Sequence, residues 1–508
     1  MKLSSISLAV VLLLQQGLAG ASTIKFQKRT TSLLVKPRGY LDLPTANQVR
    51  AASAGTGVDY DNVQSYIMVG MRKLAEVLYF FEITDVEKFK SKLGTDIHDR
   101  ILSALKILDV DTQPMTGVNI AFSQAGLTAL GIKDDLNDDH FREGQLKDAE
   151  MLGDPGTINW VPAFKETKVH GFFTLASDNH DNINAEWNSI TAALGNSIKE
   201  VHRLKGDARP GDQLGHEHFG YLDGVAQPVA DGYQPGLPGQ KVVKPGILLV
   251  GEDGDTVARP SWAKGGSFGA FRQLKQYVPE YHRFLADNAL NIPGLTKQEN
   301  IDLLGARIVG RWKSGTPIDL HPLKDDPSVG ADPQRLNNFT FAHPELGDAF
   351  DIKTNQTFCP FSAHALKSRP RAHFQPEDEI HHIVRAGIPF GPELTEEEIM
   401  TETSSEDPAL ERGISFVSYQ SNIANGFVTV QKEFSNNPSF PTGMNTGVDG
   451  LTGTTNTGPP GDTARPIKGL DPLDPEKTIV FTKDAVVSRG GEYFFAPPIS
   501  ALKSPLSE

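Results

Sequence analysis

"LAEVLYFFEITDVEKFKSKL", residues 74–93, joins an aromatic-rich run to a stretch of helical character. The first half alternates along its length and predicts a β-strand, since aromatic and β-branched side chains suit a pleated surface. Thr84 and Glu87 have the spacing of a capping box at the start of a helix. The apolar side chains that then recur at helical spacing are Val86, Phe89 and Leu93. A strand that leads directly into a helix is therefore the unit from which the fold is built.

Segments of the same kinds continue to residue 206. Strands are predicted at 117–123, 169–177 and 199–206, and helices at 124–131 and 182–194. The order strand, helix, strand, strand, helix, strand, with one small additional helix, is that of a ferredoxin-like domain.

The second half of the chain repeats this order after a Pro/Gly-rich boundary region at 231–246. The predicted strands are 269–277, 379–387 and 414–420, the predicted helices are 279–290 and 422–434, and the Gly/Thr/Pro-rich residues 442–466 are predicted to be a long loop. We therefore expect an α+β fold of two ferredoxin-like domains, 59–240 and 241–508, each an antiparallel sheet with helices.

Composition narrows the classes of function. The chain has 508 residues, with 49 basic and 63 acidic side chains and a formal charge of −14. This balance argues against nucleic acid or an anionic membrane as the main partner. A single cysteine, Cys359, cannot form an internal disulfide, so a large core must hold the fold. Two glycosylation sequons begin at Asn338 and Asn355.

The N-terminus predicts secretion. Lys2 precedes an apolar run at 6–14, and small residues around Ala21 suit signal-peptide cleavage, so residues 1–21 are predicted to be a signal peptide. The run is too short to span a bilayer, and we expect an extracellular protein. Residues 22–58, with a dibasic pair and then many small residues, are either a pro-segment or a poorly ordered arm.

"GHEHFGYLDGVAQP", residues 215–228, is the first candidate site. Asp223 lies between residues that can bend the backbone, so its carboxylate can be held toward a pocket, or it can close a turn on its own backbone. His216 and His218 would share one face of a strand and could bind a metal ion, although no third ligand is near.

Two further segments carry candidate chemistry. "CPFSAHALKSRPR", 359–371, places His364 in an apolar stretch followed by three cations. Such a histidine is either a buried core residue or the single protein ligand of a haem iron, with the cations facing the propionates. "HHIVRAGIPFG", 381–391, places Arg385 at the end of a predicted strand, before a turn.

Six segments, which are quoted in chain order at the end of this paragraph, resemble those of the dye-decolorizing peroxidases, and specifically of their secreted fungal members. The resemblance covers roughly residues 60–505 and implies two ferredoxin-like domains with haem in a cleft of the second. The segments are "GYLDG" (220–224), "GRWKSGTP" (310–317), "CPFSAH" (359–364), "HHIVRAGIPFG" (381–391), "GISFVSYQ" (413–420) and "GGEYFFAPPISAL" (490–502).

The resemblance implies roles for individual residues. His364 matches the proximal haem ligand, Asp223 the distal acid–base residue and Arg385 the distal arginine. Arg311 is similar to an arginine that meets a haem propionate. Asp449 falls near the position where members of the family hydrogen-bond the proximal imidazole.

Ile414 and Phe416 match residues that line the distal pocket in the family. The implied enzyme holds one haem b per chain, reduces hydrogen peroxide, and oxidises dyes, phenols and other aromatic donors through a ferryl intermediate, preferably at acidic pH. Two alternatives stay open: a haem-binding carrier or sensor without turnover, and a metallohydrolase that uses the pairs His216/His218 and His381/His382.

The side chains that could carry an electron between the haem and the protein surface differ from those of some relatives. Where these have a tyrosine and a tryptophan, this chain has Phe390 and Phe434. We therefore expect weaker oxidation of bulky dyes, with Trp312 as the favoured exit and Tyr419 and Trp262 as alternatives.

Overall fold

The computed structural model describes residues 30–166, 168–454 and 464–508. The predicted signal peptide and residues 22–29 lie outside these ranges. Across the described ranges, no helix combines the length and apolar character that a membrane crossing requires.

The first domain contains the predicted order of elements. Its strands are β1 (Ala75–Ile83), β2 (Gly117–Phe122), β3 (Gly171–Ser177) and β4 (Ile198–Asp207), and its main helices are α1 (Val86–Lys92), α2 (Gln124–Ala129) and α3 (His180–Leu194). The strands form an antiparallel sheet in the order β2-β3-β1-β4.

One detail of the opening stretch differs from the prediction. Helix α1 is capped by Asp85, whose side chain accepts a hydrogen bond from the Lys88 N–H at 3.1 Å, and not by Thr84. The Thr84 hydroxyl instead donates to the Asn196 carbonyl at 2.7 Å. The predicted capping box is therefore wrong, because the Thr84 hydroxyl forms its hydrogen bond with a distant turn and not with the helix.

The second domain repeats the arrangement. Its strands are β5 (Ser267–Gln276), β6 (Val384–Arg385), β7 (Ile388–Phe390), β8 (Gly413–Gln420) and β9 (Val486–Ala496). Its main helices are α4 (Val278–Asp287), α5 (Lys297–Val309), α6 (His364–Ser368) and α7 (Ala424–Ser435), the last wound as a wide π-helix. The strand order is β9-β5-β8-β7, with β6 also paired to β8. The predicted strand 379–387 is correct only in part, since Glu377–His381 forms a 3-10 helix.

The sheets of the two domains join edge to edge. Phe495 of β9 pairs with Phe122 of β2, and Gly206 of β4 pairs with Phe390 of β7, so the strands close into a single barrel. Strand β1 is buried on both faces as a result. Side chains at alternate positions of β1 point to opposite faces and pack into two different cores. One core lies under the helices, and the other lies inside the barrel. The predicted α+β fold of two ferredoxin-like domains is confirmed, and the closure into one barrel adds to it.

Shorter elements fill the connections. The helices are Ala46–Ser53, Ser65–Val69, Asp139–Glu143, Gln145–Asp148, Pro327–Gly330 and Glu396–Thr401, and two small strand pairs join Val229–Ala230 to Val242–Val243 and Arg465–Ile467 to Ile479–Phe481. The boundary between residues 240 and 241 stays a prediction.

Residues 30–58 are folded against the body of the protein. Leu33, Tyr40 and Val49 are buried, and Thr45 caps the helix Ala46–Ser53 with a complete capping box. The two interpretations of residues 22–58, a pro-segment or a poorly ordered arm, stay predictions.

Candidate active site

A cavity of about 300 Å³ lies between strands β5 and β8 on one side and helices α6 and α7 on the other. Most of its wall belongs to the second domain, and the loop 217–228 completes it. Six of the seven predicted site residues line this cavity: Asp223, Arg311, His364, Arg385, Ile414 and Phe416. The seventh, Asp449, lies behind His364. The structure therefore brings together residues that are spread over more than 200 positions of the sequence.

His364 begins helix α6 and presents its ring to the cavity. Its Nδ1 atom lies 2.6 Å from Oδ2 of Asp449, which leaves Nε2 as the nitrogen on the cavity side. Burial lowers the pKa of His364, but the Asp449 carboxylate outweighs burial and raises that pKa above its usual value. The carboxylate thus fixes both the tautomer and the orientation of the ring.

Asp449 is itself rigidly held. Its side chain is fully buried, and Oδ1 accepts hydrogen bonds from the N–H groups of Leu451 at 2.8 Å and Thr452 at 3.1 Å. Burial raises the pKa of Asp449, whereas His364 and these backbone donors lower it, and the net shift is downward. In the part of the predicted loop 442–466 that the structure describes, which excludes 455–463, Asp449 is therefore an ordered, charged residue beside α6.

Asp223 and Arg385, which line the same cavity, form an ion pair. Arg385 Nη1 lies 2.5 Å from Asp223 Oδ1, and the Gly224 N–H donates to the same oxygen at 2.6 Å. Burial raises the pKa of Asp223, but the Arg385 guanidinium outweighs it and holds that pKa below its usual range. The loop bends at Gly220 and Gly224, whose φ angles of +97° and +75° favour glycine.

Two residues that the sequence did not single out position this pair. The Gln227 amide holds the backbone of Arg385 on both sides, accepting from its N–H at 3.0 Å and donating to its carbonyl at 2.9 Å. The half-buried Glu217 carboxylate accepts from the N–H groups of Phe219 and Tyr221, both at 2.8 Å. Glu217 thereby closes the turn that precedes Asp223, and only its place within the quoted stretch could have indicated this.

The cations near α6 differ in how fully they are hydrogen-bonded. Arg311 already donates to the carbonyls of Gly315 and Leu336, at 2.8 and 3.0 Å, and to the Asn337 side chain at 2.9 Å. Arg369 also lines the cavity, and its buried Nε has no acceptor within the described residues. Burial lowers the pKa of Arg369 to about 10, so an anionic partner would restore a favourable environment for its charge.

These features fit a haem. The wall is largely apolar, and His364 presents Nε2 to the cavity. The Arg369 guanidinium, whose Nε has no acceptor among the described residues, also lines the cavity and could pair with a haem propionate. Arg369, one of the three cations that follow His364, meets this requirement more directly than Arg311.

The other histidines have different partners. His216 Nε2 lies 3.2 Å from the Lys313 carbonyl, His218 Nε2 lies 2.9 Å from the Phe390 carbonyl, and His381 Nδ1 lies 2.6 Å from the Asn425 carbonyl. Over the ranges that the structure describes, no three His, Cys, Asp or Glu side chains are grouped as ligands of one ion. The histidine pairs thus support the backbone, and the zinc-type and metallohydrolase interpretations have no support from the geometry.

The aromatic residues considered for electron exit are mostly internal. Phe390, Phe434, Tyr419 and Trp312 are all buried, and the Trp312 indole N–H donates to the His321 carbonyl at 2.8 Å. Trp262 is half-buried, with its N–H on Asp134 at 2.9 Å. The choice of Trp312 as the exit stays a prediction.

Fold and site together define a haem-binding oxidoreductase. Comparison with known proteins supports this class for both halves of the chain. Residues 62–210 match the family model described as the DyP dimeric alpha+beta barrel domain, and residues 248–462 match the one described as Dyp-type peroxidase, C-terminal. The chain belongs to the DyP-type peroxidase family, and it is a haem-dependent peroxidase.

Similar proteins cover nearly the whole chain. Peroxidase 2 of Mycetinis scorodonius is 51% identical over 96% of this chain and 95% of its own length. The dye-decolorizing peroxidase AauDyP1 of Auricularia auricula-judae is 44% identical over 94% of this chain and 92% of its own. A crystal structure of a fungal DyP-type peroxidase from the same organism superimposes with a TM-score of 0.84 and 44% identity, covering 89% of this chain and 99% of that one.

Proposed function

We propose that His364 is the single protein ligand of one haem b per chain and that Asp223 and Arg385, which line the same cavity, act on hydrogen peroxide. Asp449 would hold the His364 ring, Arg311 and Arg369 would face the propionates, and Ile414 and Phe416 would narrow the space above the haem. The observation that carries the proposal is that one cavity is lined both by His364, which Asp449 holds, and by the Asp223–Arg385 ion pair.

The two distal side chains have complementary tasks. Bound haem supplies an iron that peroxide can oxidise and that aromatic donors can reduce again. Asp223 accepts the proton from one peroxide oxygen and returns it to the other, which then leaves as water. The Arg385 guanidinium stays protonated and stabilises negative charge as it develops on the leaving oxygen.

This choice of base suits acidic conditions. An unperturbed histidine base is lost below about pH 6.5, whereas an aspartate stays ionised to about pH 3.9. Arg385 holds the pKa of Asp223 below its usual range, which extends the acidic limit further. Activity at acidic pH, on dyes and other aromatic donors, is therefore part of the proposal.

An extracellular location is proposed from the N-terminal sequence, and two surface features are compatible with it. Asn338, the first sequon asparagine, is exposed, and Asn355 is half-buried. A mass measurement of the secreted protein before and after deglycosylation tests both sites and gives the mature N-terminus.

The test of the haem assignment uses His364→Ala. We expect loss of the Soret band, or haem that is removed on gel filtration, because this change removes the imidazole proposed to bind the iron. His98→Ala, which changes a surface histidine of the first domain, is the control and should retain the spectrum of the parent. A parental spectrum in His364→Ala would refute the assignment. Haem binding without peroxide turnover in the parent would instead favour a carrier or sensor.

A further inference from the structure

A charged pair lies in the interior of the barrel, among side chains that are mostly apolar. Lys73 precedes strand β1 and Glu76 lies within it, and their side chains, 2% and 1% exposed, form an ion pair. Glu76 is on the same face of β1 as Leu78 and Phe80, which belong to the core inside the barrel. A buried pair is weak evidence for stability, because the loss of water around both charges offsets their attraction. We therefore looked for a second role of this pair.

Lys73 also holds the backbone beside Arg385. Its ammonium donates to the Ala386 carbonyl at 2.5 Å, and Ala386, the residue after Arg385, is buried. The same ammonium lies over the Tyr66 ring, 5.2 Å from its centroid. A hydrogen bond from a charged donor is stronger than one between neutral groups. Lys73 thus connects the first domain to the segment of the second that carries the distal arginine.

Glu76 fixes the position of this ammonium. Its Oε2 atom is the partner of Lys73, and its Oε1 atom has no hydrogen-bond partner within the described ranges. In β1, Glu76 lies opposite Gly206 of β4, which is paired in turn with Phe390 of β7. The ion pair is therefore near the seam at which the two sheets join, and Lys73 reaches from the first domain to Ala386.

The peptide groups of Arg385 and Ala386 are all hydrogen-bonded. Gln227 holds both groups of Arg385, and the Ala386 N–H donates to the Val417 carbonyl at 2.8 Å. Lys73 is the partner of the remaining group, the Ala386 carbonyl. Loss of this donor would leave a buried carbonyl unsatisfied, so the backbone would have to shift to satisfy it. Because the Arg385 side chain starts from this backbone, its guanidinium would shift as well.

We propose that Lys73, held by Glu76, is a positioning residue for Arg385. It fixes the Ala386 carbonyl and, through it, the place that the guanidinium takes beside Asp223. The first domain thereby helps to build the active site of the second. The inference rests on the proposed function in that Arg385 is the cation whose placement matters, and Lys73 acts through Arg385 without a step of its own.

The test removes the pair without leaving an unpaired charge. Lys73→Met/Glu76→Leu replaces both side chains by apolar ones of similar size, an exchange that is often neutral for stability. The ferric holoenzyme is titrated with fluoride, because the affinity of a small anion for the iron reports the placement of Arg385 and requires no turnover. Thermal unfolding measures stability. Arg259→Met/Asp255→Leu, at another pair with both side chains 2% exposed, is the matched control.

We expect Lys73→Met/Glu76→Leu to bind fluoride and to react with peroxide less well by roughly ten- to a hundredfold, as a displacement of up to about 1 Å can cause. Its thermal midpoint should stay close to that of the parent. The control pair should retain the parental fluoride affinity even if its midpoint falls. Parental fluoride affinity in Lys73→Met/Glu76→Leu would overturn the proposal.

A double-mutant cycle with Arg385→Leu separates positioning from general damage. If Lys73 acts through Arg385, removal of the pair in the Arg385→Leu background should not lower the fluoride affinity further. Equal losses in the two backgrounds would show that the pair acts on the haem site by another route and would also overturn the proposal. Parental fluoride affinity and peroxide rate in Arg385→Leu alone would instead refute the proposed function of Arg385.

Discussion

At the scale of single residues, the site contains two carboxylates that differ in burial and in the number of their hydrogen bonds. Asp449 is fully buried and saturated by hydrogen bonds, so it can only support His364. Asp223 has about a quarter of its side chain exposed to the cavity and is paired with Arg385 on one oxygen. The first carboxylate therefore supports the proposed haem ligand His364, and the second is the one whose exposure suits the proposed proton transfer.

Replacement of Asp223 tests the proton transfer. Asp223→Asn is nearly isosteric, so we expect normal haem content but a reaction with peroxide slower by roughly two to four orders of magnitude. Stopped-flow absorbance at acidic pH measures the rate. Asp212→Asn, an exposed change in the same region, is the control. If Asp223→Asn reacts at the parental rate, another group moves the proton.

Replacement of Arg385 tests the electrostatic coupling. The guanidinium lowers the pKa of Asp223, so in Arg385→Leu burial is left to raise that pKa. A base with a higher pKa is protonated at higher pH, and the acidic limb of the pH–rate profile should move toward neutral. The profile of the peroxide reaction, measured over the acidic range, reports the shift. An acidic limb at the parental position would show that Asp223 does not sense Arg385.

At the scale of elements, two helices meet in a close contact beside His364, the proposed haem ligand. Helix α5 ends at Val309, and the next residue, Gly310, has a φ of +86°; a Cβ there would lie 2.7 Å from Cβ of Ala365 in α6. Ala365 follows His364 directly. The end of one helix thus sets how closely α6, and with it the histidine, approaches the cavity.

Gly310→Ala tests this contact. The left-handed backbone costs a non-glycine residue about 1–2 kcal/mol, and the clash with Ala365 should add to that and weaken haem retention. Gly294→Ala is the matched control, since Gly294 has a φ of +83° but no atom within 4 Å of its Cβ position. Thermal unfolding and haem transfer to an excess of a scavenger protein are the measurements. Equal effects in the two variants would show that the helix contact contributes nothing.

At the scale of the whole molecule, the two domains share one closed barrel. The seam between β4 and β7 is close in sequence to β6, which carries Arg385, so we expect closure of the barrel to affect the placement of this arginine. At this seam, a Cβ on Gly206 would lie 2.3 Å from Cγ2 of Ile388 and 2.9 Å from the Pro389 carbonyl.

Gly206→Ala tests the coupling. Overpacking of this kind costs about 1–3 kcal/mol, and we expect a lower denaturation midpoint together with a slower peroxide reaction. Gly55→Ala, at an exposed position whose nearest atom is 3.7 Å away, is the control. A loss of stability with an unchanged peroxide rate would show that the seam stabilises the barrel without positioning Arg385.

The sequence by itself predicted the order of strands and helices in the first domain and part of that order in the second, where strand β9 and helix α5 were not predicted, and its resemblance to a family indicated the candidate site residues. Apolar periodicity reports burial along a strand or helix, and glycines beside Asp223 indicate a bend, because both are local properties. The tertiary structure alone decided the rest. It pairs His364 with Asp449 across 85 positions and Asp223 with Arg385 across 162, and it closes two sheets into one barrel. It also gives Arg311 three acceptors, while the Arg369 Nε has none among the described residues. Contacts between distant segments, and the hydrogen bonds that saturate a buried group, depend on packing in three dimensions, which local sequence patterns do not encode.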